Sequence, residues 1–231
     1  MLAVSPGGSL IRAVVGSCPE PAGTVTTSSD GGATWEPSPI ESFGVTRVLG
    51  LSADEGGLTH MVALNADCAP QAVRSFVSGA SWQAADDDLA SSWYLDPSSP
   101  STAHSPSGDI ELPCAALSLS AAGESAVVLC PDRTVSVTGD QGLNWSDAVA
   151  VPGAAAVGLS DGGAVIASAN ETECAGVRTR TLTGGVLSEP GACAETAVAD
   201  GEVAVAASGD DLYLWAGEAF VHSADAGATW G

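Results

Sequence analysis

The sequence predicts an all-β fold: a β-propeller of four-stranded antiparallel blades, about five repeat units visible, as a complete domain or part of a larger ring. Three observations carry this expectation. An eight-residue hairpin pattern occurs three times with identical internal spacing. Equivalent positions recur at steps close to the length of one propeller blade. The chain between them consists of short apolar runs punctuated by 28 Gly and 13 Pro, as in folds built of many short strands joined by tight turns.

The pattern is Ser/Thr-x-Asp-x-Gly-x-Thr/Asn-Trp. It stands at Ser28–Trp35, Thr138–Trp145 and Ser223–Trp230. A short Asp side chain accepts hydrogen bonds from backbone N–H groups just ahead of it, Gly supplies positive φ, and the Ser/Thr hydroxyl adds local bonds. The closing Trp returns a large apolar surface to the sheet. A fourth copy, Ser75–Trp82, has Val77 where Asp belongs, and Thr181-Leu182-Thr183-Gly184-Gly185 keeps only the Gly register. Positions 30, 77, 140, 183 and 225 are then separated by 47, 63, 43 and 42 residues.

The strands follow in order. Residues 1–16 read as a strand pair. Unit two offers Val45–Ser52, Leu58–Leu64 and Ala72–Val77. Unit three offers Ala115–Ser120, Ser125–Cys130 and Thr134–Thr138, and unit four Ala155–Leu159, Ala164–Ala169 and Val177–Leu182. Unit five offers Ala194–Ala199, Val203–Ala207 and Leu212–Trp215, with Ala219–Ser223 either finishing the third strand or following a kink. The near-continuous apolar character suits strands buried on both faces. A single domain spans 1–231, with units at roughly 1–42, 43–96, 113–151, 152–190 and 191–231. The long step exceeds the repeat by roughly 20 residues, which places an insertion at 86–113, with Ser92–Leu95 as the outer strand of unit two and the Pro/Ser-rich remainder as loop. Met1 falls at a first strand and Gly231 directly follows a motif Trp. Either an N-terminal segment completes the last blade or the chain is a piece of a larger ring, and the second is the expectation.

The formal net charge is −22, from 28 acidic residues against six Arg and no Lys. Nucleic acid and anionic membrane surfaces are poor partners for such a chain. No apolar run is long enough to span a bilayer, so no membrane insertion is expected in this segment. Six Cys (Cys18, Cys68, Cys114, Cys130, Cys174, Cys193) contain no C-x-x-C pair, which favours disulfides over metal ligation and implies export to the cell envelope or outside, the signal removed or upstream. A hairpin puts Cys114 beside Cys130. Cys18 and Cys68 end equivalent strands in adjacent units, and Cys174 and Cys193 remain.

The three octads resemble the Asp-box, or bacterial neuraminidase repeat, shared by sialidases, sortilin-type domains, photosystem II assembly-factor propellers and secreted bacterial proteins. In that family the box sits on the hairpin between a blade's third and fourth strands, away from the active site. The resemblance therefore implies structural roles for Ser28, Asp30, Gly32, Trp35, Asp140, Gly142, Trp145, Ser223, Asp225, Gly227 and Trp230. It also raises a sialidase-like glycoside hydrolase, whose mechanism uses three arginines on the substrate carboxylate, a Tyr activated by Glu and an Asp acid/base. Bidentate guanidinium pairs are what hold a carboxylate, but Arg12, Arg47, Arg74, Arg133, Arg178 and Arg180 are spread over four units, and neither Tyr94 nor Tyr213 has an evident Glu partner.

No catalytic residue, cofactor or metal site is therefore expected. The acidic run Asp86-Asp87-Asp88 could meet calcium with Asp109 or Glu111 or form a solvated face. Trp93 and Tyr94 could stack on a sugar ring or pack the insertion. His60 reads as a packed residue. The resulting expectation is a non-catalytic secreted or envelope-associated scaffold recognising a protein or glycan. The alternatives are the sialidase-like hydrolase and an assembly factor for an envelope complex.

Overall fold

A computed structural model describes residues 1–20, 24–160, 163–198 and 202–231. It contains six antiparallel sheets, each a meander in which consecutive strands are neighbours. The first sheet is β1 (Leu2–Val4), β2 (Leu10–Ala13), β3 (Val25–Ser28) and β4 (Glu36–Pro37). The second is β5 (Arg47–Ala53), β6 (Thr59–Leu64), β7 (Pro70–Ser75) and β8 (Gln83–Ala84). The third has three strands, β9 (Tyr94–Leu95), β10 (Thr102–Ser105) and β11 (Gly108–Glu111). The fourth is β12 (Ser118–Ala122), β13 (Ser125–Leu129), β14 (Thr134–Thr138) and β15 (Val149–Ala150). The fifth is β16 (Ala154–Ser160), β17 (Gly163–Glu171), β18 (Cys174–Thr183) and β19 (Val186–Leu187), and the sixth is β20 (Val203–Ser208), β21 (Asp211–Ala216) and β22 (Ala219–Ser223). This is the β-propeller fold, with six blades.

Six replaces the five units expected, and the difference lies in residues 86–113. That stretch is a 3-10 turn, Asp86–Ser91, followed by the third sheet. The outer strand of the second sheet is not Ser92–Leu95 but the two-residue β8, which pairs Gln83 with Arg74 and Ala84 with Val73. The last blade also begins later than expected. Ala194 forms only an isolated bridge to Val177, residues 195–198 form no strand, and Ala199 lies outside the described residues. The blade starts at β20, and Ala219–Ser223 is a strand of its own.

The chain divides into two compact units, Met1–Ser98 with His104–Asp109, and Ser99–Ala103 with Ile110–Gly231. In the first, Ile11, Ala13 and Val25 of the first sheet pack with Val48, Met61, Ala63 and Val73 of the second. Met61 is fully buried, worth about 1.5–3 kcal/mol relative to exposure. In the second unit, β17 explains why its sequence lacks alternation. Ala164 and Ile166 face the cluster shared with β13 and β14, whereas Val165 and Ala167 face the cluster shared with β20 and β21. A strand buried on both faces must be apolar throughout.

Glycine sets how closely neighbouring sheets approach. A Cβ on Gly50 would lie 2.5 Å from the Trp93 carbonyl oxygen, and one on Gly158 would lie 2.7 Å from that of Val205. Both glycines open the same tripeptide, Gly-Leu-Ser, on a first strand. Three disulfides, Cys18–Cys68, Cys114–Cys130 and Cys174–Cys193, use all six cysteines.

Candidate binding site

The octads hold three carboxylates in one repeated bonding pattern. In the hairpin after β3, Ser28 Oγ donates to Asp30 Oδ1 at 2.8 Å and accepts from the Gly32 N–H at 2.8 Å. Asp30 in turn accepts from the Thr34 N–H at 2.9 Å and the Thr34 hydroxyl at 2.6 Å. The same bonds recur at Thr138, Asp140, Gly142 and Asn144 and at Ser223, Asp225, Gly227 and Thr229. Each Asp closes its own turn with both oxygens. In the Ser75–Trp82 copy the hydroxyl still caps Val77 and Gly79, without a carboxylate. The Gly184-Gly185 turn instead uses two positive φ angles.

Two of the Trp residues tie blades together. Trp82 Nε1 donates to Ser38 Oγ at 2.7 Å, and Ser38 Oγ donates to the Gly79 carbonyl at 2.6 Å. Trp230 Nε1 donates to the Ala192 carbonyl at 3.1 Å, and the Ala192 N–H donates to the Gly227 carbonyl. Trp145 Nε1 is buried with no hydrogen-bond partner among the described residues. Trp35 lies under the Arg12 guanidinium, 4.0 Å from its carbon to the ring centre.

Hydrogen bonding to Thr34 holds the Asp30 carboxyl down to about 2. Asp140 and Asp225 are lowered by the equivalent bonds to Asn144 and Thr229. Since the folded value lies below the unfolded one, this stabilisation is present above about pH 4 and is lost as pH falls through the folded value. Carboxyl carbon NMR is expected to give a midpoint near 2 for Asp30 and depressed midpoints for Asp140 and Asp225. An ordinary midpoint, about 4, at all three would contradict the bonded geometry.

The groups available to a ligand lie elsewhere, on the second sheet. Ser52, His60, Arg74 and Gln83 form one cross-strand row. The 3-10 turn Asp86–Ser91 folds over it, set by the Asp88 N–H on the Ala85 carbonyl, and the Ser91 and Ser92 hydroxyls grip the Asp88 carbonyl. Arg74 Nη1 donates to both Asp88 oxygens, at 3.1 and 3.3 Å. His60 stands 3.7 Å from Asp88 and 3.9 Å from Asp54. The Phe76 ring lies 5.5 Å from the Arg74 guanidinium carbon and is 57% exposed beside an exposed Val77. An open cavity of about 430 Å³ lies here, lined by Arg74, Ala84, Ala85 and Asp86 to Asp88. It offers fixed donors and acceptors with an aromatic face close by.

The residues singled out from the sequence fall in several places. Trp93 is buried, 8% exposed. Tyr94 is half-buried and stacked on His104, ring centres 5.0 Å apart. His104 in turn faces Asp109 at 2.8 Å and the Ala90 carbonyl at 3.3 Å. The pairs Arg74–Asp88 and His104–Asp109 occupy two of the carboxylates considered for calcium, and among the described residues no group of three or more His, Cys, Asp or Glu side chains is arranged to hold a metal. Four other arginines also have local partners. Arg12 donates to Thr26, Arg133 to the Ala154 carbonyl, Arg178 to the Glu173 carbonyl and Arg180 to Glu171. Burial raises the Tyr94 phenol, with Asp109 and Asp96 adding to it, and burial with Asp211 raises Tyr213. Both shifts work against a phenolate nucleophile. Sequence reasoning missed Arg74, Asp88, His60 and Phe76 as a group. The available signal was the Phe76-Val77 pair, apolar where the other octads carry a small residue and Asp.

No protein-family profile matches the chain, and no curated protein matches its sequence. Solved structures do match. A lectin from Aleuria aurantia in complex with Fucalpha1-6GlcNAc is similar at a TM-score of 0.59 with 12% identity, over 100% of this chain and 93% of that one. The likeness is one of fold. YCF48 from Cyanidioschyzon merolae matches with 17% identity and a TM-score of 0.33, over 100% of this chain and 83% of that one. A Hadza microbial sialidase matches with 15% identity and a TM-score of 0.40, over 99% and 56%.

Proposed function

We propose that this chain is a non-catalytic binding propeller of the Asp-box type, exported to the cell envelope or beyond, that recognises a glycan or protein through the partly exposed row on its second blade. The observation that carries the reading is the cavity beside Arg74. The Arg74–Asp88 pair presents a cationic donor and an anionic acceptor side by side, and next to the cavity His60 adds a polar ring and Phe76 an apolar face. That combination suits recognition, in which a few placed polar groups fix orientation and an aromatic surface supplies contact area. Tyr94 contributes its remaining exposed surface from the third sheet, with Trp93 packed beneath. The local pairing of five of the six arginines and the raised tyrosines argue against hydrolysis. Three disulfides support export, because such bonds persist in oxidising compartments. Spread over the surface, a charge of −22 disfavours nucleic acid and anionic membranes.

The test is binding to arrayed glycans and peptides, fucosylated glycans first because the lectin of similar fold carries one. Arg74→Ala and Phe76→Ala, each checked for a retained fold, are expected to lower binding at least tenfold (about 1.4 kcal/mol). Binding that survives both substitutions unchanged would remove this face from the account.

A further inference from the structure

The chain contains two Asn-x-Ser/Thr tripeptides without proline at x, Asn144-Trp145-Ser146 and Asn170-Glu171-Thr172. This is the acceptor pattern for N-linked glycan transfer, which needs an accessible amide and a hydroxyl two residues on. The structure separates the two. Asn144 belongs to the hairpin after β14. Its Nδ2 donates to Asp140 Oδ2 at 2.7 Å and its N–H to Asp140 Oδ1 at 2.9 Å. Ser146 Oγ is also engaged, accepting from the Val137 N–H and donating to the Asp147 carbonyl.

Asn170 stands near the end of β17, just before the turn into β18, exposed, at φ +56°. The strand register shifts there, between Ala169 and Glu171. Glu171 pairs with Arg180 through both carboxylate oxygens, which fastens the middle of the tripeptide to the sheet. Asn170 and Thr172, on either side of it, are exposed, and neither side chain makes a hydrogen bond among the described residues. The free amide and free hydroxyl thus sit on a rigid hairpin, immediately before the Cys174–Cys193 disulfide.

We propose that Asn170 is an N-glycan acceptor. The co-substrate is an oligosaccharide linked through C1 to a lipid diphosphate, supplied by a membrane transferase in the compartment where the disulfides form. The Asn170 amide nitrogen forms a bond to C1, the bond from C1 to the diphosphate oxygen breaks, the lipid diphosphate leaves, and the amide proton passes to a carboxylate of the transferase. No electron donor or acceptor is needed. The site is independent of the binding row on the second blade.

The test is secretion of the full chain from a eukaryotic host that carries such a transferase, followed by intact-mass measurement before and after peptide N-glycosidase. The expected result is one glycan, mapped to Asn170 by conversion of that residue to an aspartate on release. Thr172→Ala abolishes the mass shift and Thr172→Ser keeps it, and neither change touches a bonded side chain. A secreted protein without glycan, a glycan that survives Thr172→Ala, or modification of Asn144 equal to or above that of Asn170 would overturn the proposal.

Discussion

Replacing Cys18 and Cys68 together by serine is expected to destabilise the protein by about 4 kcal/mol and to lower its melting temperature by roughly 10 °C. The bond joins positions 50 residues apart, the widest separation of the three. Chain-entropy reasoning makes the loss grow with the loop closed, so Cys114–Cys130 and Cys174–Cys193, with separations of 16 and 19, are worth about 3 kcal/mol each. The bond also joins the loop after β2 to the turn between β6 and β7, so its loss loosens the contact between the first two sheets. Cys18 packs beside the cluster of Leu49, Val62 and Leu64 that underlies the second blade. Thermal denaturation followed by far-UV circular dichroism is the check. An unchanged melting temperature would show that the first two sheets hold together without the bond.

Gly176→Ala is expected to be strongly damaging for a single methyl group, at about 3 kcal/mol or more. A Cβ there would lie 1.9 Å from the Ala194 carbonyl oxygen and 2.8 Å from the Thr196 nitrogen. Both are backbone atoms, so no rotamer change relieves the overlap. Ala194 is held in place by reciprocal hydrogen bonds with Val177, at 2.8 and 3.0 Å, and by the neighbouring Cys174–Cys193 bond. Displacing it would move the loop whose Ala192 receives Trp230 and pairs with Gly227 of the last blade. Denaturant titration should show a reduced midpoint with an unchanged slope. A Gly176→Ala variant as stable as the parent would mean that this segment does not press against β18.

What the sequence disclosed follows the range of the forces involved. The octads were legible because their chemistry is local: every bond of Asp30 is made within residues 28–34. Strands β16 to β18 were legible because burial on two faces leaves a long apolar run. The third blade was not, since Thr102–Ser105 and Gly108–Glu111 are four residues each and mostly polar, the first buried only at alternate positions and the second at none. The outer strands β4, β8, β15 and β19 have two residues apiece and carry no readable period. In the last blade, Ala194–Ala199 had a strand's composition, yet Ala194 makes only an isolated bridge and residues 195–198 form no strand, because Gly176 lets the loop lie directly on β18. The row around Arg74 was hidden for a different reason. Arg74 and Asp88 meet only because β8 and a 3-10 turn bring the chain back over the sheet, a tertiary event that neither residue announces.

Whether this propeller recognises rather than hydrolyses can be read from steady-state release of fluorophore from 4-methylumbelliferyl N-acetylneuraminate across the acidic to neutral pH range. The expected rate equals that of buffer, because five of the six arginines serve local partners and burial works against the phenolate form of Tyr94 and Tyr213. Release above background that disappears on replacing Tyr94 or Tyr213 by phenylalanine would contradict it and establish a glycoside hydrolase.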